Sequence, residues 1–284
     1  MRARHRPTAR EVTVHDSAGS VPADDPARRR GVRSVDRALD VLSAFSAAHP
    51  RFQLTELAEA AGVPKTSTHR IAVTLVERGF LRQEADGAYV LGNRLLELGS
   101  LVSTTNALSH LTQGVAEELI RSTGETVLIA EIDWQDRSLL ITGKREAPHS
   151  PESLSPLGRR STLGTGCISR AILSALPREE SEEIVTRLPL AQRTPASITD
   201  PDALRRELET TRRYGYAVEI GEFIAGIAGV AVPVMVGGRP AGAIAVCGRI
   251  TRMPRQRLEA LGNHIKHLLG RTAAAHPPSP PRAG

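Results

Sequence analysis

The stretch from Leu54 to Leu91, LTELAEAAGVPKTSTHRIAVTLVERGFLRQEADGAYVL, constrains this chain more than any other. Leu54, Leu57 and Ala58 fall on one face of a short helix. Ala61-Gly62-Val63 interrupts it, because Gly62 is free to take the positive φ that a tight turn needs. Pro64 opens a second helix at a first-turn position, where its missing N–H has no intrahelical partner to lose. Thr68, Ile71, Ala72 and Leu75 repeat at three- and four-residue steps and form a buried stripe. Lys65, Thr66, Ser67, His69 and Arg70 point away from it. That face is short, polar and positively charged, with the size and chemistry to enter a major groove and touch base edges and phosphates. Gly79 ends the helix, and Phe80–Gln83 and Ala88–Leu91 pair around Glu84-Ala85-Asp86-Gly87, where Asp-Gly is a strong hairpin signal. A helical hairpin alone is a common core element. Followed by a hairpin wing, it is a winged helix–turn–helix in outline.

A chain of 284 residues has room for two domains. Its net charge of +6 favours an anionic partner, although part of the excess sits near the N-terminus. Cys167 and Cys247 provide neither a disulfide framework nor zinc spacing. No apolar run approaches the ~20 residues of a membrane span, and the Arg-rich N-terminus lacks the apolar segment of a secretory signal. No membrane partner is therefore expected, and a cytoplasmic location follows.

Residues 1–31 mix Arg, Pro, Asp, Ala and Ser without periodicity, the composition of a disordered tail. Ser34 is expected to cap a first helix whose buried stripe is Val35, Ala38, Leu39, Leu42 and Phe45, stopped by His49-Pro50. Arg33 and Arg37, at its start, are placed to reach a DNA backbone or to stand as surface charges. The DNA-binding domain then covers residues 32–92. Residues 93–105 carry Leu95, Leu98 and Val102 on one stripe, with Leu96 and Leu101 off it. A helix apolar on more than one side packs against more than one neighbour, so this one is expected to link two domains and contribute to a dimer.

Residues 106–272 mix helices and strands without strict alternation. A helix over 106–122 precedes β-rich runs at 126–132 and 138–142. A loop follows over 144–163, then the glycine-rich LGTGCISRAILSAL helix and helices near 180–188 and after Thr199-Asp200-Pro201. Strands at 216–220, 227–234 and 241–246 and a helix over 254–271 close the domain, and a Pro-rich tail is expected from Ala273. This is an α+β pattern with a mostly antiparallel sheet flanked by helices.

The second domain assembles no catalytic constellation. Gly164-Thr165-Gly166 before a helix is placed to bind an anion, but it is neither a Walker A loop nor a dinucleotide fingerprint. Cys167 near a helix N-terminus is a candidate nucleophile with no partner placed by sequence, and a small buried cysteine is the commoner case. His110, His149, His264 and His267 lack metal-ligand spacing. Glu222, between Gly221 and Phe223, either meets a ligand or caps a turn. No metal and no cofactor are expected.

Over about Arg33 to Arg271 the chain resembles the IclR family of bacterial transcriptional regulators. The residues that carry the resemblance are SVDRALDVLSAF, the Leu54–Leu81 stretch, YVLGNRLLELGSL, LGTGCISRAILSALP, RRYGYAVEIGEF and GIAGVAVPV. The resemblance implies an N-terminal winged helix–turn–helix, a linker helix and a GAF-like C-terminal domain that binds a small effector and dimerises. It further implies a homodimer or tetramer acting on double-stranded DNA at a palindromic operator, as a repressor, an activator or both. The resemblance places Thr66, Ser67, His69 and Arg70 on the recognition helix, and the expected DNA-binding set adds Arg33, Arg37, Lys65 and, in the wing, Gly87 and Tyr89.

The effector-binding set is Gly164, Thr165, Cys167, Ile168, Glu222, Gly229, Ala245 and Cys247, and here the chain departs from the family pattern. Gly164 stands where members often carry His. Cys167 and Ile168 replace Ala or Gly and a variable residue, and Ser169-Arg170 replaces Gly-Lys. Gly229 falls on a family Cys, and Ala245 and Cys247 fall on frequent serines. Small or apolar groups thus replace polar ones that would hold a small carboxylate, whose unpartnered burial is costly. The expected effector is larger or less polar than a simple carboxylate. The rival expectation is a small-molecule sensor or enzyme whose N-terminal helices serve assembly.

Overall fold

The structure is a computed structural model that describes residues 32–46, 48–150 and 154–275. The sequence expectations for residues 1–31 and 276–284 lie outside the described residues. The chain divides into two compact units, Met1–Leu95 and Leu96–Gly284.

The first unit contains α1 (Arg33–Ser43), β1 (Arg51–Phe52), α2 (Leu54–Ala61), α3 (Lys65–Glu77), β2 (Leu81–Gln83) and β3 (Tyr89–Leu91). Gln53 and Glu56 close a capping box at the start of α2, the Gln53 N–H donating to Glu56 Oε2 at 2.8 Å. Gly62 ends α2 at φ 64°, and its N–H reaches Ala58 O and Glu59 O. Pro64 is the N-cap of α3, one residue ahead of the position expected from sequence. Val41, Phe52, Leu57, Ala72, Leu81 and Tyr89 make the core. Thr68 belongs to the buried stripe because its hydroxyl is satisfied locally, donating to Val63 O at 3.1 Å and Pro64 O at 3.2 Å.

Three expectations for this unit are corrected. α1 begins at Arg33 with Val32 as N-cap and no side-chain cap, so Ser34 lies inside the first turn. It ends at Ser43, before Phe45 and His49-Pro50. Its buried residue is Val41, while Val35 and Leu39 are 53% and 55% exposed, because no described residue of this unit covers their side of the helix. The wing also gains a strand: β1 pairs with β3 in an antiparallel sheet of order β1-β3-β2. Two residues are too few to show a period in sequence.

The second unit begins within α4 (Asn93–Thr105) and continues through α5 (Ala107–Thr123), β4 (Thr126–Asp133), β5 (Ser138–Arg145) and β6 (Arg160–Thr162). Then come α6 (Gly166–Ser174), α7 (Arg178–Arg187), α8 (Pro201–Tyr214), β7 (Ala217–Ile220), β8 (Ile227–Val236), β9 (Arg239–Arg249) and α9 (Arg255–Ala275). The strands form one antiparallel sheet of order β6-β5-β4-β9-β8-β7. Alternation sorts its residues onto two faces. Val127, Ile129, Val230, Val232, Ile244 and Val246 face α5 and α9. Leu128, Ala130, Ala231, Ala243, Ala245 and Cys247 face α6 and its neighbours.

β6 lies inside the segment read as loop. It is a three-residue edge strand paired with the start of β5, and it has no apolar run to announce it. α9 runs to Ala275, past the expected tail at Ala273, because Ala273-Ala274-Ala275 are strong helix formers.

Gly92 closes the wing against the backbone that follows α3. Its N–H donates to Phe80 O at 2.8 Å, and a Cβ there would sit 2.1 Å from Gly79 O. Gly92→Ala is therefore expected to destabilise the first unit by about 3 kcal/mol. Gly99→Ala, whose Cβ meets nothing within 4 Å, is expected to lower no transition. Thermal unfolding of the two variants followed by circular dichroism checks this.

Candidate functional sites

In the first unit, the first two turns of α3 present Lys65, Thr66, His69 and Arg70 to solvent, with Ser67 half-buried. Among the described residues, the side chains of Lys65, His69 and Arg70 enter no ion pair. Arg33 is exposed and Arg37 half-buried at the start of α1. Gly87 sits in the wing turn at φ 85°, where a side chain would be strained. Tyr89 is a correction: it is 3% exposed and packs in the core, because the pleat of β3 turns it inward opposite Phe52. Its ring therefore offers no contact surface.

The wing is charge-balanced, unlike the helix face. Arg51 pairs with Asp86 at 2.5 Å and Glu84 at 3.4 Å, and Arg82 lies 3.6 Å from Glu84. The Arg51 hydrogen bond holds the Asp86 carboxyl below its ordinary range. The excess positive charge is thus concentrated on α3. Arg51, which orders the wing turn, escaped the sequence reading because its partner lies 35 positions away.

In the second unit a cavity opens beside the first turn of α6. Leu128, Leu139, Ile141, Ile227 and Cys247 of the sheet form one wall, and Thr165, Gly166, Cys167 and Ile168 form another. Ser155, Arg159, Phe223 and Ile224 complete it from the adjoining loops. It holds about 550 Å³ of space free of protein atoms, part of it open to solvent.

The structure brings Thr165, Cys167, Ile168 and Cys247 together on this cavity. Gly164, Glu222, Gly229 and Ala245 are not on its walls. Gly164 is pressed against the chain near Leu190, where a Cβ would lie 2.8 Å from Pro189 O. Gly229 lies under the two cysteines, where a Cβ would be 3.0 Å from Cys247 Sγ and 3.3 Å from Cys167 Sγ. Ala245 is fully buried beneath α6. Glu222 corrects the expectation of a ligand or turn-capping carboxylate, because it pairs with Arg170, a residue 2% exposed. Arg170 Nη2 donates to Glu222 Oε1 at 3.0 Å and also to Val218 O, and Nη1 donates to Glu222 Oε2.

The carboxyl that does reach the cavity is Glu219 of β7, which sequence reasoning missed. It is 7% exposed, and its Oε2 accepts the Cys167 N–H at 3.0 Å. Burial is the main reason its pKa is raised to about 7, against the opposing field of Arg170 and with help from Glu222. The signal was available, since alternation along Ala217-Val218-Glu219-Ile220 places Glu219 on the same face as the buried Ala217. Cys167 and Cys247 are free and buried. A hydrogen bond with Cys247, burial and the Glu219 charge all push the Cys167 thiol up, which opposes the thiolate a nucleophile needs. Phe223 is clasped between the Arg159 and Arg193 guanidiniums, 5.1 and 4.2 Å from its ring centre.

A winged helix–turn–helix with a cationic recognition face, followed by an antiparallel-sheet domain with its own cavity, defines a DNA-binding regulator with a ligand-binding half. Residues 34–85 match the IclR helix-turn-helix domain, and residues 101–271 match the bacterial transcriptional regulator IclR C-terminal domain. The chain belongs to the IclR family of transcriptional regulators. It is 34% identical over 218 residues to the HTH-type transcriptional regulator KipR of Bacillus subtilis, covering 76% of this chain and 86% of KipR. It is 28% identical over 247 residues to the transcriptional repressor IclR of Escherichia coli, covering 86% and 90%. An IclR structure from Thermotoga maritima superposes with a TM-score of 0.72 at 26% identity, covering 86% of this chain and 98% of that one. Among the described residues no helix is long and apolar enough to cross a membrane.

The raised Glu219 pKa has a consequence for stability. The folded chain keeps this proton at pH values where the unfolded chain has released it. The stabilisation is complete below the ordinary value of 4.5 and is lost as pH rises through about 7. Glu219→Gln, which cannot ionise, is therefore expected to gain on the wild type as pH rises from 5 to 8, by up to about 3 kcal/mol. Denaturant unfolding at the two pH values checks the sign.

Proposed function

We propose that this chain is a cytoplasmic, sequence-specific repressor, without catalytic activity of its own, whose hold on a palindromic operator is set by a small molecule in the cavity beside α6. The observation that carries the reading is the concentration of exposed Lys65, Thr66, His69 and Arg70 on one face of α3, while the wing neutralises its own charges. In this reading α3 enters the major groove, with Lys65 and Arg70 on phosphate or guanine and Thr66, Ser67 and His69 on bases or backbone. Arg33, Arg37 and the wing around Gly87 meet the flanking backbone. The effector acts by binding one arrangement of the protein better than another, since only differential affinity shifts such an equilibrium. Apolar side chains dominate the cavity walls, which supports an effector less polar than a simple carboxylate.

Self-association is part of the proposal, because dimer geometry sets half-site spacing. Leu96, Leu101 and Val102 on α4 are exposed large hydrophobics, with Leu96 76% exposed, and Val35 and Leu39 add apolar surface on α1. Leu96→Glu is expected to shift sedimentation velocity toward the monomer and to weaken operator binding without lowering the melting temperature. An unchanged sedimentation coefficient removes α4 from the interface.

Fluorescence anisotropy with DNA from upstream of the gene and a scrambled control tests the DNA reading. Tight binding to one fragment is expected, weakened by about 1–3 kcal/mol in Arg70→Ala. Equal binding to both fragments with a steep salt slope means nonspecific contact only. No binding at moderate salt, together with turnover of a metabolite, would instead favour a sensor or enzyme whose N-terminal helices serve assembly.

A further inference from the structure

The cavity holds one buried carboxyl whose hydrogen bonding is incomplete. Glu219 Oε2 accepts from Cys167 N, and among the described residues no protein group donates to Oε1. A carboxylate has about four acceptor positions, so Oε1 is open to a donor from the cavity side.

The same carboxyl already occupies the place where an anionic ligand would sit. The free N–H groups at a helix N-terminus form a ready anion site. Here Glu219 Oε2 fills that site so closely that a Cβ on Gly166 would lie 2.6 Å from it. Arg170 cannot turn to an incoming anion, because Glu222 and Val218 O hold its guanidinium. The groups whose fields reach Glu219 are Arg170 of α6 and Glu222 of the β7–β8 connection. Cys167 and Cys247 face the cavity from α6 and β9, both as buried thiols. Arg159 also borders it, with its guanidinium over Phe223. A ligand carboxylate beside Glu219 would meet the charge of that carboxylate and find the Cys167 N–H already taken. An ammonium group would bring three donors to a wall with one open acceptor.

We propose that the effector presents a neutral hydrogen-bond donor, a hydroxyl group on an otherwise apolar body, to Glu219 Oε1, and that a carboxylate is excluded from this position. This rests on the reading of the cavity as the effector site and narrows it to a ligand class. Glu219 accepts the hydroxyl proton in a charge-assisted hydrogen bond while the apolar body lies against Leu128, Leu139 and Ile141. Gly166 and Glu219 are thereby specificity-determining residues: the glycine lets the carboxyl seat on the helix, and the seated carboxyl selects a donor.

The test uses the full chain and three probes of one shape, 4-propylphenol, 4-propylbenzoate and propylbenzene, in isothermal titrations at pH 6, 7 and 8. The phenol is expected to bind about tenfold more tightly than either partner at pH 8. A donor stabilises the ionised carboxyl and lowers its pKa in the complex. The advantage is therefore present above about pH 7 and shrinks as pH falls through that value. Glu219→Gln is expected to remove the pH dependence and most of the preference, and the comparison of probes on wild-type protein stands even if that variant folds poorly. The benzoate binding as tightly as the phenol at pH 8, or the phenol gaining on acidification, overturns the inference while leaving the cavity as the effector site. Failure of all three to bind overturns both. Unchanged operator binding in that case leaves the DNA-binding reading standing.

Discussion

Arg170 is nearly inaccessible to water, and its charge is met by one carboxylate and one backbone carbonyl. Burying a guanidinium costs several kcal/mol, so the pairing is of little value as net stabilisation. Its value is geometric. Glu222 and Val218 lie on β7 and the turn after it, and Arg170 lies in the middle of α6. Breaking the pair would strand a charge in the core, so α6 cannot slide or rotate against the sheet edge. That fixes where the first turn of α6 points and where Glu219, one residue beyond Val218, delivers its carboxyl. The cavity follows from this arrangement, with its rim at Thr165-Gly166 and its polar group on β7.

The two faces of the large sheet are built for different tasks. The face toward α5 and α9 is filled with Val and Ile at nearly every inward position. The face toward α6 carries Gly229, Ala231, Ala243 and Ala245 at its centre, small residues that let the helix approach closely. Larger side chains return at Leu128, Leu139 and Ile141, away from the axis of α6, and the space between is left open. A closely seated helix beside a widened margin suits a domain that must hold its shape and still admit a ligand. On the opposite face, Glu125 is tied to Arg252 at 2.9 Å and Arg257 at 3.2 Å, joining the start of β4 to the approach to α9.

In the first unit the same economy appears on a smaller scale. Thr68 turns its hydroxyl back to the chain, so a polar residue can sit in the stripe that seats α3 on its core. The cations of α3 are then displayed on a rigid support. The wing spends Arg51 on ordering its own acidic turn, which leaves the helix as the cationic feature.

The winged helix–turn–helix was legible in sequence because each of its signals is local: a three-four stripe, Gly62 at a left-handed turn, Pro64 at a helix start and Asp86-Gly87 in a hairpin. The antiparallel sheet and most of its strands were legible for the same reason. Tyr89 was misplaced because a two-residue strand, Arg51–Phe52, decides which face of the wing is inside, and so short a run has no period. Glu222 was singled out and Glu219 missed because both are carboxylates near one turn, and only the position of Arg170, 52 residues earlier, assigns one to an ion pair and the other to the cavity. By itself the sequence determined most of the elements and the exposed polar face of α3, whose signals span a few residues. Tertiary structure alone decided the chemistry of the cavity, because burial, field and hydrogen-bond geometry at Glu219 come from groups brought together across the whole second domain.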